Sequence, residues 1–363
     1  MTDAGATAQP FVSVVIPVLN CAEEVEGCIS ALRAQDYPAD RFEILVVDNG
    51  SVDDTVARLR ACGVTALHRP ERGRSRALNT ALESALGTII CSTDISCRPE
   101  PHWLSEIVRN FEDVSVGCVA GEIKLVKTRN NLAIRYQDRK KYMSPMAARL
   151  RLRPPFLPYA DGANASFRRE VFDAIGPFEE SFFKGADVEI CYRMLFLTSF
   201  RMSFNERAVV WEPGEEDLRA LLKQRFRIGM SNVLFRRRFP ELFAKRRGGR
   251  GYRQAYWWLR DRLAALAAFL GSPASAGDSS RRERLADGTI EWLMGRAQAL
   301  GRVYGRYFLA RNGIEIKPVQ SAFGRDYAQG AVDASERIVW VPQVDAAEGT
   351  RPTSDPTIRH SRG

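Results

Sequence analysis

The stretch EILVVDNGSVDDT, Glu43 to Thr55, joins a short apolar run to a polar turn and then to the start of a helical pattern. Two further runs share its character, FVSVVIPV from Phe11 to Val18 and TIICS from Thr88 to Ser92. Each is short, almost wholly apolar and followed by turn residues, which is typical of parallel strands covered on both faces. The three runs therefore predict the central strands of a parallel sheet.

Helical apolar spacing fills the intervals between these runs, over residues 23–35, 53–61 and 75–86. In the first interval, for example, Val25 and Ile29 lie one helical turn apart. Similar patterns recur downstream, over residues 170–175, 188–197, 218–235 and 281–309. Strands that alternate with helices predict an α/β protein built from βαβ units around an open, mostly parallel sheet.

Polar residues follow each predicted strand at its carboxyl end. Asn20 follows the first strand, Asp48-Asn49-Gly50-Ser51 the second and Asp94 the third. Open α/β sheets bind their ligands beyond this edge, so the three clusters predict a ligand site there. Taken alone, each cluster is also compatible with an ordinary strand-to-helix turn, in which Asp, Asn and Gly are common.

The segment RPERGRSRALNTAL, Arg69 to Leu82, is rich in arginine around Gly73. Arg76 and Asn79 lie three residues apart and are expected on one face of a helix. Arginines at such a position can pair with phosphate. For Arg72 and Arg74 the simpler expectation is a solvated basic loop.

Two carboxylates stand out in the segments STDISCRPEPHW, residues 92–103, and DGANASFRREVFDAIGPFEESFFKGADVEICYRM, residues 161–194. Asp94 directly follows a buried strand, where a carboxylate can bind a hard cation that bridges phosphates. Asp187 opens a helix after a glycine-containing loop and is a candidate general base. Turn formation by Asp94 and helix capping by Asp187 remain the alternatives.

In this order and spacing, the segments SVVIPVLN, EILVVDNGSVDDT, RGRSRALN, TDISCRPEPHW and GANASFRREVFDAIGPFEE…GADVEICYR closely resemble family 2 glycosyltransferases with the GT-A fold. The resemblance covers about residues 11–235. It implies inverting transfer of a sugar from a nucleoside diphosphate sugar, usually with UDP, to an acceptor hydroxyl. It also implies a divalent cation, Mg or Mn, that neutralises the departing diphosphate.

The resemblance assigns roles to individual residues. It implies that Pro17 and Asn20 line the nucleotide pocket, that Asp48 contacts the base or ribose, and that Arg76 and Asn79 lie nearby. Two further roles concern the chemistry. Asp94 is the retained acid of the metal-binding DxD element, and Asp187 stands where the family's ED motif has its general base.

The sequence departs from the family pattern at three places. The DxD element reads Asp94-Ile95-Ser96, and Ala186 precedes Asp187 in place of an acid. Glu212 stands where many relatives have a histidine, and it either supplies an oxygen ligand for the cation or has no role. Gln224 and Arg227 resemble the QxxRW element of processive members, but Ile228 replaces its Trp, which argues against a long-chain synthase.

The lost acids keep a second hypothesis open, a catalytically impaired nucleotide-sugar-binding or scaffold protein. A dinucleotide dehydrogenase is disfavoured, since VLNCAEEVEG rather than GxGxxG follows the first strand. The net charge of +9 and pI of about 9.3 indicate an anionic partner, but no nucleic-acid motif accompanies them. The expected partners are a nucleotide-sugar donor and a lipid-linked or other glycan acceptor of the cell envelope.

Composition suggests how the chain is divided. Residues 1–10 are expected to be disordered, residues 11–235 form the catalytic domain, residues 236–310 a basic helical extension and residues 311–363 an irregular, partly disordered tail. Scattered cysteines, no run of about 18 apolar residues and no secretory signal pattern predict a cytoplasmic protein. Arg236 to Arg253 carries eight basic residues and one acid. It either attaches the protein to an anionic membrane surface at the inner face of the cell membrane or is a solvated basic face.

Overall fold

The three predicted central strands lie side by side in one sheet. The structure is a computed structural model, and it describes residues 9–145, 157–182, 184–243, 278–320, 322 and 338–340. The strands are β1 (Val12–Val18), β2 (Phe42–Asp48), β3 (Leu67–His68), β4 (Ile89–Thr93), β5 (Arg98–Pro99), β6 (Val116–Val126), β7 (Asn164–Arg168), β8 (Arg201–Pro213) and β9 (Ile338–Trp340).

Helices connect and cover these strands. They are α1 (Val25–Arg33), α2 (Thr55–Ala61), α3 (Arg74–Ser84), α4 (Trp103–Asn110), α5 (Leu132–Lys140), α6 (Arg169–Ile175), α7 (Ala186–Leu197), α8 (Leu218–Arg238), α9 (Pro240–Phe243) and α10 (Asp278–Arg311). A single 3₁₀ turn, Ala22–Glu24, precedes α1. None of the described helices is long and apolar enough to cross a membrane.

The strand order is β3-β2-β1-β4-β7-β6-β8-β5, and β9 pairs with β8 beside β5. The half formed by β3, β2, β1 and β4 is wholly parallel. Strand β7 then runs antiparallel to both β4 and β6, and β5 antiparallel to β8. The sheet is therefore mixed, and its parallel half carries the βαβ units that the sequence predicts.

Both faces of the sheet are covered, which explains the unbroken apolar runs. Along β1, Val14 and Ile16 belong to one core cluster with α1 and α4, whereas Val15 belongs to the other cluster with α3 and α7. All three side chains are at most 1% exposed. A strand whose successive side chains enter two different cores has no polar face to display, and this is the origin of the sequence VSVVIPV.

The two longest helices, α8 and α10, pack against each other at close range through glycines. A Cβ atom on Gly229 would lie 2.2 Å from the Gln298 carbonyl oxygen, and one on Gly301 would lie 2.0 Å from the Phe226 carbonyl oxygen. No side chain fits in that space, so the glycines set the helix separation. The other neighbour of α10 is α5, where Arg139 donates to the Asp287 carboxylate.

The sequence predictions for several segments differ from the structure. Residues 164–168 form β7, which the apolar patterns of the sequence do not predict. The tail was expected to be irregular, and the structure places the short strand β9 within it. Most of the basic stretch, from residue 244 onward, lies outside the described residues, as do residues 1–8.

Candidate active site

Asp48 ends β2 at the carboxyl edge of the parallel half of the sheet. Its side chain is nearly buried, accepts a hydrogen bond from the Ser51 N–H at 3.0 Å and lies 3.4 Å from Nδ1 of His68. Pro17 is next to the end of the neighbouring strand β1, where it pairs in register with Val47. The two predicted nucleotide-pocket residues therefore lie on adjacent strands.

Asn20 joins the end of β1 to the loop that follows β2. Its backbone is in the left-handed region, with φ at 52°. Its N–H donates to Oγ of Ser51 at 3.0 Å, and its Oδ1 accepts from the Val52 N–H at 2.8 Å. Asparagine adopts this conformation more readily than most residues. The turn residues therefore fix this edge of the site, in line with their predicted location.

Asn49, for which the sequence suggested no separate role, holds the arginine-rich loop. Its Nδ2 donates to the carbonyl oxygens of Arg69 and Glu71 at 3.0 and 2.8 Å, and its Oδ1 accepts from the Gly73 N–H at 2.6 Å. Gly73 has a φ of 150°, which favours glycine, and α3 begins directly after it. Asn49 thus positions the first residue of that helix, Arg74.

Arg74 points into the site with its side chain 39% exposed. The sequence predicts a solvated basic loop here, but the residue begins α3 and forms an ion pair. Its Nη1 makes an ion pair with Oδ1 of Asp94, and its Nη2 donates to the Gly162 carbonyl oxygen at 3.1 Å. The charges of Asp94, Asp187 and Asp161 raise the pKa of Arg74 against the opposing effect of burial. The guanidinium is a fixed positive charge among these three acids.

The segment that carries Asp161 is fastened to the end of β4. Oγ of Ser92 donates to the Gly162 carbonyl oxygen at 2.8 Å, and Oγ1 of Thr93 donates to the Ala163 carbonyl oxygen at 2.9 Å. These bonds extend the antiparallel pairing of β4 with β7. As a result, Asp94 and Asp161 flank the same opening although 67 positions separate them in the sequence.

Asp187 enters this opening from the start of α7. Gly185, with φ at 87°, precedes the helix. The Gly162 N–H donates to Oδ2 of Asp187 at 2.9 Å, and the Val188 N–H donates to Oδ1 at 3.0 Å. These two bonds hold the carboxylate in one orientation, facing the opening. An oriented carboxylate within reach of the acceptor is what a general base requires.

The acids enclose a cavity of about 110 Å³. Its lining includes Arg74, Asp94, Asp161, Lys184 and Asp187. Asp161 lies at the solvent-exposed mouth of the cavity, where the surrounding protein still displaces water from its carboxyl group. This desolvation, and then the negative charge of Asp187, raise the pKa of Asp161. Lys184 opposes this shift.

Glu212, at the end of β8, belongs to the same electrostatic group. Burial, and then the charges of Asp94 and Asp161, raise the pKa of Glu212 well above its usual range. Lys184 and Arg74 pull that pKa down, but not enough to compensate. Like-charged carboxylates that raise one another's pKa form a site that is short of positive charge.

The donor set suits a hard divalent cation, because Asp94 and Glu212 offer carboxylate oxygens. In the described ranges, no three His, Cys, Asp or Glu side chains converge closely enough to hold an ion by themselves. Magnesium-type ions are commonly bound by one or two carboxylates together with substrate phosphates. The residues therefore fit a cation that is held jointly with a phosphorylated ligand.

Arg76 and Asn79 lie on α3 beyond Arg74 and contact the segment before α7. Nε of Arg76 donates to Glu180 at 3.0 Å. The Asn79 amide donates to and accepts from the backbone of Phe178, at 3.0 and 2.9 Å. The structure therefore places both residues at the Phe178–Glu180 segment, and their contact with a nucleotide stays a prediction.

Comparison with known proteins identifies the class to which this fold and site belong. The model of glycosyl transferase family 2 matches residues 13–176. The glycosyltransferase AglE of Haloferax volcanii is 30% identical over 230 residues, which are 62% of this chain and 73% of AglE. The chain therefore belongs to glycosyltransferase family 2 and is a glycosyltransferase that uses a nucleotide sugar.

More distant relatives agree with this assignment. The pre-mycofactocin glycosyltransferase of Mycobacterium tuberculosis is 28% identical over 195 residues, which are 51% of this chain and 39% of that protein. The chain thus spans about two fifths of that relative's length. The mannosyltransferase PcManGT of Pyrobaculum calidifontis, solved in complex with GDP-Man and Mn²⁺, is 20% identical with a TM-score of 0.50. The match covers 85% of this chain and 89% of PcManGT, and it confirms the predicted GT-A fold.

Proposed function

We propose that the protein is an inverting glycosyltransferase that moves a sugar from a nucleoside diphosphate sugar to an acceptor hydroxyl. UDP is the proposed nucleotide of the donor. The observation that carries this proposal is the convergence of Asp94 and Asp187 on one cavity at the carboxyl edge of the sheet. One acid lies where a diphosphate and its counter-charge would bind. The other is oriented by two backbone N–H groups, as a base must be.

The nucleotide is proposed to lie along the edge formed by β1 and β2. Asp48 would accept hydrogen bonds from the base or the ribose, and Pro17 and Asn20 would line the pocket beside it. From there the diphosphate would extend towards Arg74 at the start of α3. The N-terminus of a helix attracts phosphate, and an arginine strengthens this attraction.

Ser75 supports this direction for the diphosphate. Ser75 lies in the first turn of α3, lines the cavity and is 2% exposed. Its hydroxyl has no hydrogen-bond partner among the described residues. A buried hydroxyl normally has a partner, so the first turn of α3 offers an unused donor where the proposed phosphates arrive. Arg76 and Asn79, further along α3, are proposed to lie near the nucleotide while they also hold the Phe178–Glu180 segment against this helix.

Asp94 and Glu212 are the residues proposed to hold a divalent cation, Mg or Mn, together with the diphosphate. Bound there, the cation supplies the charge that neutralises the leaving group. Arg74 already contributes one positive charge to Asp94. The carboxylates of Asp94 and Glu212 repel each other in the protein without a ligand. A bound cation would relieve this repulsion.

Asp187 is proposed to take the proton from the acceptor hydroxyl as that oxygen attacks the anomeric carbon. The leaving diphosphate departs on the opposite side of the sugar, so the configuration inverts. Asp161 borders the same cavity, and its raised pKa places a proton-binding group beside the base. We assign Asp161 to orienting the sugar or acceptor hydroxyls rather than to proton abstraction.

The acceptor is proposed to be a lipid-linked or cell-surface glycan precursor in polysaccharide or envelope synthesis, reached from the cytoplasmic face. The names of the relatives do not point to a common acceptor, since one is specific to pre-mycofactocin and AglE is named for no acceptor. The alternative is a catalytically impaired protein that still binds a nucleotide sugar or acts as a scaffold. A turnover assay distinguishes the two, because only the active enzyme releases nucleoside diphosphate from the donor.

The donor is tested by thermal unfolding in the presence of UDP-, GDP- and dTDP-sugars, each with and without Mn²⁺. A ligand that binds the native state raises the melting temperature by mass action. We expect one donor class to stabilise the protein, with a larger shift when Mn²⁺ is present. If no nucleotide sugar changes the melting temperature with or without Mn²⁺, the proposed function is wrong.

The cation is tested by calorimetric titration of Mn²⁺ in the presence of UDP. Asp94→Ala should weaken binding most, and Glu212→Ala should weaken it less. Glu206→Ala is a matched control, since Glu206 lies on the same strand as Glu212, six residues before it. Unchanged Mn²⁺ affinity in Asp94→Ala would remove the metal role from that residue.

A further inference from the structure

Among the described residues, helix α10 is packed along one face only. Its buried residues repeat at helical spacing and face α8 and α5; they include Ile290, Met294, Gly301, Gly305 and Leu309. The opposite side is exposed, and four apolar or aromatic residues form what we call the outer stripe: Trp292, Leu300, Val303 and Tyr307. At 3.6 residues per turn these four fall within a sector of about 80°.

The outer stripe is well exposed for such large side chains. Leu300 is 64% exposed, Val303 66%, Tyr307 56% and Trp292 41%. A helix that packs on one side of a globular protein normally shows polar residues on the other. A contiguous exposed patch of aliphatic and aromatic groups marks a contact surface. The stripe runs about 22 Å along the helix at 1.5 Å per residue.

Charge divides the helix into two halves. In the first half, Glu283 and Asp287 pair with Arg139, and Glu291 pairs with Lys140, so α5 neutralises these acids. From Trp292 to Arg311 there is no acid at all. The same segment contains four arginines, at positions 296, 302, 306 and 311. Within the described residues, none of the four makes an ion pair with a carboxylate.

We propose that the outer stripe of α10 lies flat on an anionic lipid surface. This inference deepens the proposed function, since it rests on an acceptor that is presented at a membrane. Leucine, valine and the aromatic rings enter the headgroup region, where tryptophan and tyrosine are favoured. The arginines on both sides of the stripe meet the anionic headgroups, and each contributes through charge attraction.

A second copy of the chain fits this surface less well than lipid does. In a two-fold dimer the same patch meets itself, so the segment with four arginines would face its own image. Like charges across an interface oppose association. Arg296 lies over the Trp292 ring with its Cζ 5.3 Å from the ring centroid, in the middle of the stripe. An anionic lipid surface accommodates that arginine, whereas a symmetric protein interface would bury two of them together.

The test is co-sedimentation of the full-length protein with vesicles of phosphatidylcholine alone or mixed with phosphatidylglycerol. We expect binding that needs the anionic lipid and weakens as salt rises. Trp292→Ser/Val303→Ser/Tyr307→Ser should lower the affinity by about tenfold or more, because three apolar side chains no longer enter the interface. Arg296→Glu/Arg306→Glu should lower it by a similar factor through charge.

The matched control is Leu86→Ser/Val114→Ser, which removes two apolar side chains that are 75% and 78% exposed elsewhere on the molecule. It should bind vesicles like the wild type. Each variant is checked by thermal unfolding and by its donor-induced melting shift. A normal donor shift with lost vesicle binding leaves the nucleotide-sugar site intact and supports the lipid surface as a separate property.

Three results would overturn the inference. The first is wild-type protein that does not sediment with anionic vesicles, and the second is equal binding by the outer-stripe variant and the wild type. The third is a dimer, measured by light scattering on the eluting protein, that the outer-stripe variant converts to a monomer. In that case the stripe is an interface between copies of this chain.

Discussion

At the scale of single residues, Asp187 is the group on which the proposed chemistry depends. Each of its carboxylate oxygens accepts a hydrogen bond from a backbone N–H group, of Gly162 or of Val188, and these bonds orient the carboxylate towards the cavity. General base catalysis contributes about 10²- to 10⁴-fold to a rate. Asp187→Asn should therefore lower turnover by that order while the donor-induced melting shift stays nearly unchanged.

The control for this substitution is Asp173→Asn, at an exposed acid on α6. It should keep the wild-type rate, as measured by the release of nucleoside diphosphate. If Asp187→Asn retains more than roughly a tenth of the wild-type rate, the proton is taken by another group, because a general base contributes more than this. Asp161 would then be the next candidate.

Glu212 provides a prediction about pH. Its pKa is raised in the folded protein above the usual glutamate value of about 4.3. Between these two pKa values, the folded state binds more protons than the unfolded chain. Its contribution to stability is therefore complete below the unfolded pKa and is lost as pH rises through the folded pKa. Glu212→Gln removes this loss and should raise the melting temperature at pH 7 by about 2–4 °C.

Thermal unfolding without nucleotide or metal, repeated from acidic to neutral pH, measures this effect. The gain from Glu212→Gln should shrink towards low pH, where the wild-type carboxyl is protonated as well. Glu206→Gln on the same strand should show no such pH-dependent gain. A Glu212→Gln protein that melts at or below the wild-type temperature at pH 7 would contradict the electrostatic account of the cluster.

The site was only partly predictable from the sequence. Asp94 and Asp187 could be predicted as candidates because each stands beside a recognisable element and at a family motif position, and the structure brings both to one cavity. Asn49 and Asp161 acquire their roles through hydrogen bonds to segments that are distant in the chain, and no local pattern reports such bonds. Arg74 was misjudged because an arginine in a loop is usually solvated, whereas here the turn at Gly73 directs it at Asp94.

At the scale of elements, the glycines between α8 and α10 make a testable claim about packing. Gly301→Ala would place a methyl group 2.0 Å from the Phe226 carbonyl oxygen, so the two helices must move apart. Overpacking of this kind costs about 1–3 kcal/mol. We expect the free energy of unfolding, measured with denaturant, to fall by about that amount.

Gly295→Ala is the matched control in the same helix. A Cβ atom there meets nothing within 4 Å. Replacing an unhindered helical glycine by alanine stabilises a helix by about 0.5–1 kcal/mol. The two substitutions should therefore have opposite signs. Equal effects from both would show that α10 does not pack against α8 through Gly301.

The strands that the sequence revealed are those with uniform apolar character, β1, β2 and β4. Strand β8 is not among the predicted strands, because it contains polar residues that are buried and paired. Asn205 donates to the Glu106 carbonyl oxygen at 3.0 Å, and Ser203 donates to Oδ1 of Asn110 at 2.6 Å. A buried polar residue whose partner lies on a distant helix looks like a loop residue in a local window.

At the scale of the whole molecule, the candidate site is assembled from segments that span residues 17–212, and the sheet brings them together. The described C-terminal part adds α10, which is fastened to α8 and α5 and turns an apolar, cationic face outward. The segment from Trp292 to Arg311 contributes four arginines and no acid to the net charge of +9. If the proposed donor site and the proposed lipid-facing surface both pass their tests, the protein is an enzyme that works on acceptors held at a membrane.

The most direct test of the central claim is the release of nucleoside diphosphate from a panel of UDP-, GDP- and dTDP-sugars, followed with Mn²⁺ or Mg²⁺ present. We expect the wild-type protein to turn over at least one donor class and a glycan or lipid-linked acceptor to accelerate this release. Asp187→Asn should abolish most of it. If the folded wild-type protein releases no nucleoside diphosphate from any donor with any acceptor supplied, or if Asp187→Asn is as active as the wild type, the proposed active site is contradicted.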